Sequence, residues 1–152
     1  MEGKASQLPE RFNVRVYGLL VHEGKVLISR ETIGGMRITK FPGGGLEFGE
    51  GIGAALVREF DEELGLPVEL GPLFYINDFL QISAFDPADQ LLAVYYIVSP
   101  LPSLVWDRLR AVDTYVHEDN GQKFEWVPIP RLGDAKISFP VDKKVAALLA
   151  ET

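Results

Sequence analysis

Residues 37–51, RITKFPGGGLEFGEG, constrain the fold more than any other stretch of this chain. A β-like run stops at Pro42, three glycines follow, Glu47 and Glu50 bracket a further glycine, and the chain then enters a helix. The apolar spacing predicts that helix over 52–64, with Gly65 as its C-terminal stop. At about 100° per residue, Leu56, Val57, Phe60 and Leu64 share one face, the face expected to pack on a sheet. Glu59, Glu62 and Glu63 stand at i, i+3 and i+4 and gather on another. A glycine-rich turn ahead of a helix is a common phosphate cradle, because backbone N–H groups converge there. Carboxylates in the same place repel phosphate, so a cation has to stand between the two. Like-charged pairs at this spacing destabilise a helix by about 0.2–0.5 kcal/mol each. A hard divalent cation, which takes carboxylate and phosphate oxygens together, reverses that penalty. The ordinary alternative is a solvated acidic face.

The flanking segments supply the sheet. Residues 12–21 alternate and then run apolar, 22–25 turn, and 26–30 return, which reads as a hairpin. A short strand over 37–41 follows. Beyond the helix, 68–81 is strand-like with a Gly-Pro interruption, and 91–99 is the strongest central-strand candidate. A last strand over 123–129 follows an acidic loop, and Pro140 opens a terminal helix, a position that suits proline. Strands and helices mix without strict alternation, so the expected fold is α/β, a sandwich built on a mixed sheet. The expected organisation is a mobile N-terminal tail over 1–11 and a single domain over 12–152.

Three compositional facts exclude function classes. The chain has no cysteine, which removes disulfides and thiolate metal sites. Its net charge of −7 argues against a nucleic-acid backbone as the stable partner. No apolar run is long enough to cross a bilayer, and residues 1–10 lack the apolar centre of a signal peptide, so a cytoplasmic location with no membrane partner is expected.

The region from Gly44 onward gives Gly44, Glu50 and then Arg58, Glu59, Phe60, Glu62, Glu63, Gly65 and Leu66. This resembles the signature of the Nudix hydrolase family, G-x(5)-E-x(7)-R-E-U-x-E-E-x-G-U with U a bulky apolar residue, and every fixed position is filled. Pro42, Gly43, Glu47, Phe48 and Gly49 match its extended form. The resemblance implies a Nudix-type α/β/α sandwich and a pyrophosphohydrolase acting on acid anhydrides. It implies a nucleoside diphosphate linked to another moiety as substrate, a nucleotide or nucleotide sugar among the choices. Magnesium or manganese is the implied cofactor, bridging carboxylates to the substrate diphosphate, which answers how carboxylate and phosphate share one site.

Carried over residue by residue, the resemblance makes Glu59, Glu62 and Glu63 metal ligands, with the Gly43 carbonyl as a further one. Glu50 extends the acidic cluster toward a second metal or water, and Arg58 orients its carboxylates. Gly44 and Gly45 are expected to let the backbone turn tightly beside the ion. Glu59 and Glu62 are the candidate proton acceptors within the motif. In some relatives a later loop supplies the base, which places Glu118 and Asp119 among the candidates. His117 reads as a loop residue. Tyr17, Phe74, Tyr75, Phe85, Tyr95 and Trp106 are open to stacking on a base, although core packing is the commoner use of each. Arg30, Arg37 and Lys40 lie near the glycines, within reach of phosphate.

Gln81 stands where ADP-ribose types carry proline, and residues 83–85 lack the tyrosine of dinucleoside polyphosphate types. The substrate is therefore not fixed. The isomerases of related fold depend on a cysteine that is absent here. A catalytically silent nucleotide-sensing or interaction module remains as the alternative function. The family often forms dimers, so a homodimer is compatible with the resemblance.

Overall fold

Glu23 and Gly24, at φ 50° and 76°, close the tight turn between β1 (Arg11–His22) and β2 (Lys25–Ile33). Gly34 and Gly35, at φ 57° and 79°, do the same between β2 and β3 (Met36–Lys40). Both central residues of each turn have positive φ, the geometry whose twist matches that of paired strands. The computed structural model describes residues 8–117 and 122–152. The remaining elements are β4 (Gly43–Gly45), α1 (Ile52–Leu64), β5 (Val68–Ile76), β6 (Asp89–Pro100), α2 (Leu104–Leu109), β7 (Thr114–Val116), β8 (Lys123–Pro128), a 3-10 turn (Ile129–Asp134) and α3 (Pro140–Ala150).

The sheet runs β5-β6-β1-β2-β8-β7, with β3 added to β2 and β4 added to β1. It is mixed, since β1 lies parallel to β6 over residues 11–20 while the other pairs are antiparallel. The other edge of β1 is divided. Arg15, Val16 and Tyr17 pair with β4, and only Val21 and His22 reach β2. That division opens a wedge between β1 and the β2–β3 hairpin.

Side-chain alternation along β1 and β6 builds a core on each face of the sheet. Val16, Leu20, Val94 and Val98 pack under α1 with Leu56 and Phe60. Tyr17, Leu19, Ala93 and Tyr95 face the other way, toward Val141, Val145 and Leu149 of α3. The result is the α/β/α sandwich that the sequence predicts. Phe60 is fully buried, which is worth about 1.5–3 kcal/mol. Its ring lies on Gly18, where an added Cβ would come within 2.7 Å of the ring Cζ. Gly65 ends α1 at φ 65°, with its N–H on the Asp61 carbonyl and that of Leu66 on the Phe60 carbonyl. The bond from Gly65 back to Asp61 is the 5→1 bond of the αL cap, which needs a left-handed residue.

The apolar face of α1 is rotated from the predicted one. Val57 is 38% exposed, whereas Ala55 is fully buried. The buried arc runs from Leu64 through Phe60 and Leu56 to Ala55, so the helix is rolled toward β4, and Val57 is left on the outer rim. The same roll carries Glu59 and Glu63 inward.

Candidate active site

The glycines of 43–45 are strand residues, not a turn, and this corrects the role expected for Gly44 and Gly45. Of the three, only Gly43 has positive φ, 149°. A Cβ there would collide with the Val16 carbonyl oxygen and lie 2.7 Å from Tyr17 Cα. A Cβ on Gly44 would fall on the Glu59 carboxylate. Glycine is required here so that β4 can lie flush against β1 while α1 approaches from above.

Arg58 ties the approach loop to the helix. Its Nε and Nη2 donate to the two Glu50 oxygens at 3.0 and 2.6 Å, and Nη2 also donates to the Gly45 carbonyl at 3.1 Å. Nη1 donates to Glu59 at 3.1 Å and to Glu62 at 3.3 Å. The guanidinium, reinforced by the Glu47 N–H, holds the Glu50 carboxyl below its usual range, and the carboxylates in turn raise Arg58. Glu50 is thus engaged at both oxygens.

A cleft of about 570 Å³ occupies the wedge between β1 and the β2–β3 hairpin. Glu59 and Glu63 line it from α1, beside Gly43, Gly44 and Gly45. Glu62 does not line it. Its side chain is 58% exposed and rests on Arg58 at the rim. The structure therefore brings together Glu59, Glu63 and Gly43, and sets Glu50, Arg58 and Glu62 behind them. Burial pushes the Glu63 carboxyl up to about 7; Lys40 opposes the rise, and Glu59 and Glu31 add to it. Gln122, on the far side, donates to Ser29 at 2.7 Å and to Glu63 at 3.4 Å.

Among the cleft residues that escaped the sequence reading are Arg15, Gln122 and Asp142. Asp142 is 2% exposed, in the first turn of α3; it accepts from the Tyr95 hydroxyl and from the Phe41 N–H at 3.3 Å. Burial pushes its carboxyl up to about 6, against the pull of Tyr95, Lys40 and Arg15. Tyr17 stacks on Tyr95 with ring centroids 5.1 Å apart. Of the aromatic candidates for stacking, Tyr17, Tyr95 and Phe85 line the cleft. Phe74 and Tyr75 pack against the α3-side core, and Trp106 lies against His22 on the opposite face. Arg30 is occupied by Glu125 at 2.6 Å and by Thr39 and Ala135. Glu118 and Asp119 lie outside the described residues. The backbone of His117 donates to the Gln122 carbonyl.

The donor chemistry fits a hard divalent cation. Glu59 and Glu63 offer oxygen only, and two carboxylates pressed together in a half-buried wall are costly unless a cation joins them. Among the described residues no three acidic or histidine side chains already stand close enough to hold an ion. The Glu59 and Glu63 side chains and the neighbouring backbone carbonyls are donors at hand, and Glu31 lines the same cleft. No helix among the described residues is long and apolar enough to cross a membrane.

A family model of the NUDIX domain matches residues 9–149. Among solved structures, the E. coli ORF135 protein is 19% identical over 93% of this chain and 91% of its own, with a TM-score of 0.71. A NUDIX hydrolase from Nitrosomonas europaea is 20% identical over 89% and 86%, with a TM-score of 0.68. An ADP-ribose pyrophosphatase from Streptococcus suis is 18% identical over 91% and 90%, with a TM-score of 0.59. Likeness at these identities establishes the fold. No curated protein sequence matches the chain.

Proposed function

The chain belongs to the Nudix family, and from that premise we propose that it is a metal-dependent hydrolase cleaving the diphosphate linkage of a nucleoside diphosphate joined to another moiety. The observation that carries this reading is the pair Glu59 and Glu63, turned into the cleft beside Gly43 by the roll of α1 and the missing side chain at Gly44. The cleft volume, about 570 Å³, falls in the range that takes a nucleotide-sized ligand.

Glu59, Glu63 and the Gly43 carbonyl would hold magnesium or manganese, with Glu62 in reserve at the rim and Glu50 held behind them by Arg58. When bound, the ion supplies charge neutralisation of the diphosphate and a more acidic water. Arg58 fixes the carboxylates by charge-assisted hydrogen bonds, so that Glu59 keeps one orientation during turnover. Of the motif carboxylates proposed as proton acceptors, Glu59 lines the cleft and Glu62 does not. Glu59 therefore takes the proton of the attacking water, with Glu118 and Asp119 as the alternatives outside the motif. Tyr17 and Tyr95 form an apolar floor, and Phe85, 5.9 Å from Phe139 between ring centroids, forms a wall on which a base can stack.

The test is a substrate panel with magnesium or manganese, run beside Glu63→Gln, with products separated by chromatography. Nucleoside triphosphates, oxidised purine triphosphates, ADP-ribose, nucleotide sugars and dinucleotides make up the panel. Metal-dependent cleavage at a diphosphate, lost in the variant, establishes the activity and its substrate class. Nucleotide binding without any turnover would instead make the protein a sensing module.

A further inference from the structure

Two cations of the cleft have no role in the carboxylate–metal scheme. Arg15 projects from β1 on the same side as Tyr17, and Lys40 is the last residue of β3. Both line the cleft that Glu59 and Glu63 line. Tyr17 stands between them. Arg15 Nε donates to the Tyr17 hydroxyl at 3.3 Å, and Lys40 Nζ lies 5.7 Å from the Tyr17 ring centroid.

Neither cation is saturated. Among the described residues Arg15 makes no ion pair, and the Tyr17 hydroxyl is its one hydrogen-bond partner. Four further guanidinium N–H donors remain. Among the described residues Lys40, with a side chain 9% exposed, donates to the Phe41 and Gly43 carbonyls, both at 3.4 Å, and reaches Glu31 at 4.0 Å. Those are long contacts for an ammonium, whose good partners lie at about 2.7–2.9 Å. A desolvated cation with unused donors is a costly feature unless an anion completes it. Gly45 is part of the same arrangement, since a Cβ there would lie 3.3 Å from Arg15 Nη1.

We propose that Arg15 and Lys40, set on either side of Tyr17, are a clamp for the non-bridging oxygens of the substrate diphosphate. The clamp rests on the pyrophosphohydrolase reading of the cleft and adds the groups that receive the phosphates on the strand side, facing the carboxylates of α1. Arg15 suits a bidentate grip on one phosphate, and Lys40 acts as a point charge on the other. A substrate with two adjacent phosphates fills both positions, whereas a phosphomonoester fills one.

The clamp and a merely structural counter-ion predict different signs for two measurements. The first is binding of manganese to the protein alone, by calorimetry. The second is binding of inorganic pyrophosphate in chelator, where no metal contributes. If Lys40 grips phosphate, Lys40→Met weakens pyrophosphate binding at least tenfold and leaves manganese binding equal or tighter, because a positive charge beside the Gly43 carbonyl has been removed. Arg15→Met weakens pyrophosphate binding to a similar extent, and inorganic phosphate discriminates the variants from the wild type far less. Lys40→Arg restores part of the loss. If the two residues only balance Glu31, Glu59 and Glu63, the neutral variants disturb the carboxylate wall and weaken both ligands together, which overturns the clamp. Unchanged pyrophosphate binding in both folded variants, verified by circular dichroism, overturns it as well, as does a wild type that binds no pyrophosphate in chelator. The outcome is separable from the activity. A wild-type protein that binds pyrophosphate through these residues yet hydrolyses nothing supports the clamp and sinks the hydrolase reading. A hydrolase whose variants keep pyrophosphate affinity does the reverse.

Discussion

Both oxygens of Glu50 rest on the guanidinium of Arg58, at 2.6 and 3.0 Å, and the same guanidinium reaches forward to Glu59 at 3.1 Å. The loop that follows β4 is thus fastened to the carboxylate that enters the cleft by one planar group. A lysine in that place has no fork with which to span the three. Arg58→Lys is expected to lower kcat by about 10- to 100-fold, the usual effect of losing a group that orients a metal ligand, the role proposed for Glu59. Melting temperature should change little. Steady-state kinetics at saturating magnesium, with a thermal melt alongside, check both expectations.

Neighbouring glycines should fail in different ways. At Gly43 an added Cβ meets backbone, the Val16 carbonyl and Tyr17 Cα, at a φ of 149° that side chains avoid. Gly43→Ala is therefore expected to destabilise the fold by about 1–3 kcal/mol or more, from overpacking and backbone strain together. At Gly44 the obstacle is the carboxylate end of Glu59, which can swing aside. Gly44→Ala should fold with near wild-type stability and lose activity, again by about 10- to 100-fold. Denaturant melts and turnover of the pair separate the two effects. Equal stability losses would mean that β4 does not lie as close to β1 as described.

Metal binding offers a way to rank the glutamates. A ligand that binds only the folded state at a hundred times its dissociation constant stabilises it by about 2.7 kcal/mol. Magnesium or manganese should raise the melting temperature of the wild type, and a chelator should abolish the rise. Glu59→Gln and Glu63→Gln, which alter the carboxylates lining the cleft, are expected to remove most of it. Glu62→Gln, altering a side chain 58% exposed at the rim, is expected to remove least. Scanning fluorimetry over a metal titration gives the order directly.

The contrast between Glu62 and Glu63 also shows where the sequence stops being legible. Local patterns announce the helix over 52–64 and its end at Gly65, because amphipathic spacing and a left-handed glycine are properties of adjacent residues. The hairpin over 12–30 and the start of α3 at Pro140 are local in the same way. The roll of α1 about its own axis is not. It depends on β4 docking on Arg15, Val16 and Tyr17, some thirty positions earlier in the chain, and so the local pattern places Val57 inside and leaves Ala55 out. For the same reason glycines 43–45 look like a turn when they form a strand. Arg15 and Asp142 carry no motif. Arg15 reads as one polar residue in an alternating strand and Asp142 as an ordinary acid in a first helical turn, until the sheet brings β1, β3 and α3 to one cleft. The short elements α2 and β7 lack the length for a periodic signal.

Asp142 gives the stability of the fold a dependence on pH. Its carboxyl is pushed up to about 6 from an ordinary value near 3.8, with burial as the main cause. A folded-state value above the unfolded one means that the native protein binds the proton more tightly. Between roughly pH 4 and 6 the folded chain therefore holds more protons than the unfolded chain, and stability falls as pH rises through that window. Above about pH 6 the contribution is flat, and the loss over the whole window is at most about 3 kcal/mol, since each unit of pKa is worth about 1.4 kcal/mol. The groups facing Asp142 are the Tyr95 hydroxyl, the Phe41 N–H, Lys40 and Arg15, and the two cations limit the rise. The Glu63 carboxyl, raised to about 7, acts in the same direction over a range reaching that value, so the series is repeated in Glu63→Gln, which removes that titration. Urea midpoints at pH 4.5, 5.5, 6.5 and 7.5 are expected to drop across the first three and level off, and Asp142→Asn should flatten the drop. A stability that rises over this interval in the wild type, and equally in Asp142→Asn, would show that the carboxyl is already ionised at the acid end and that Lys40 and Arg15 outweigh its burial.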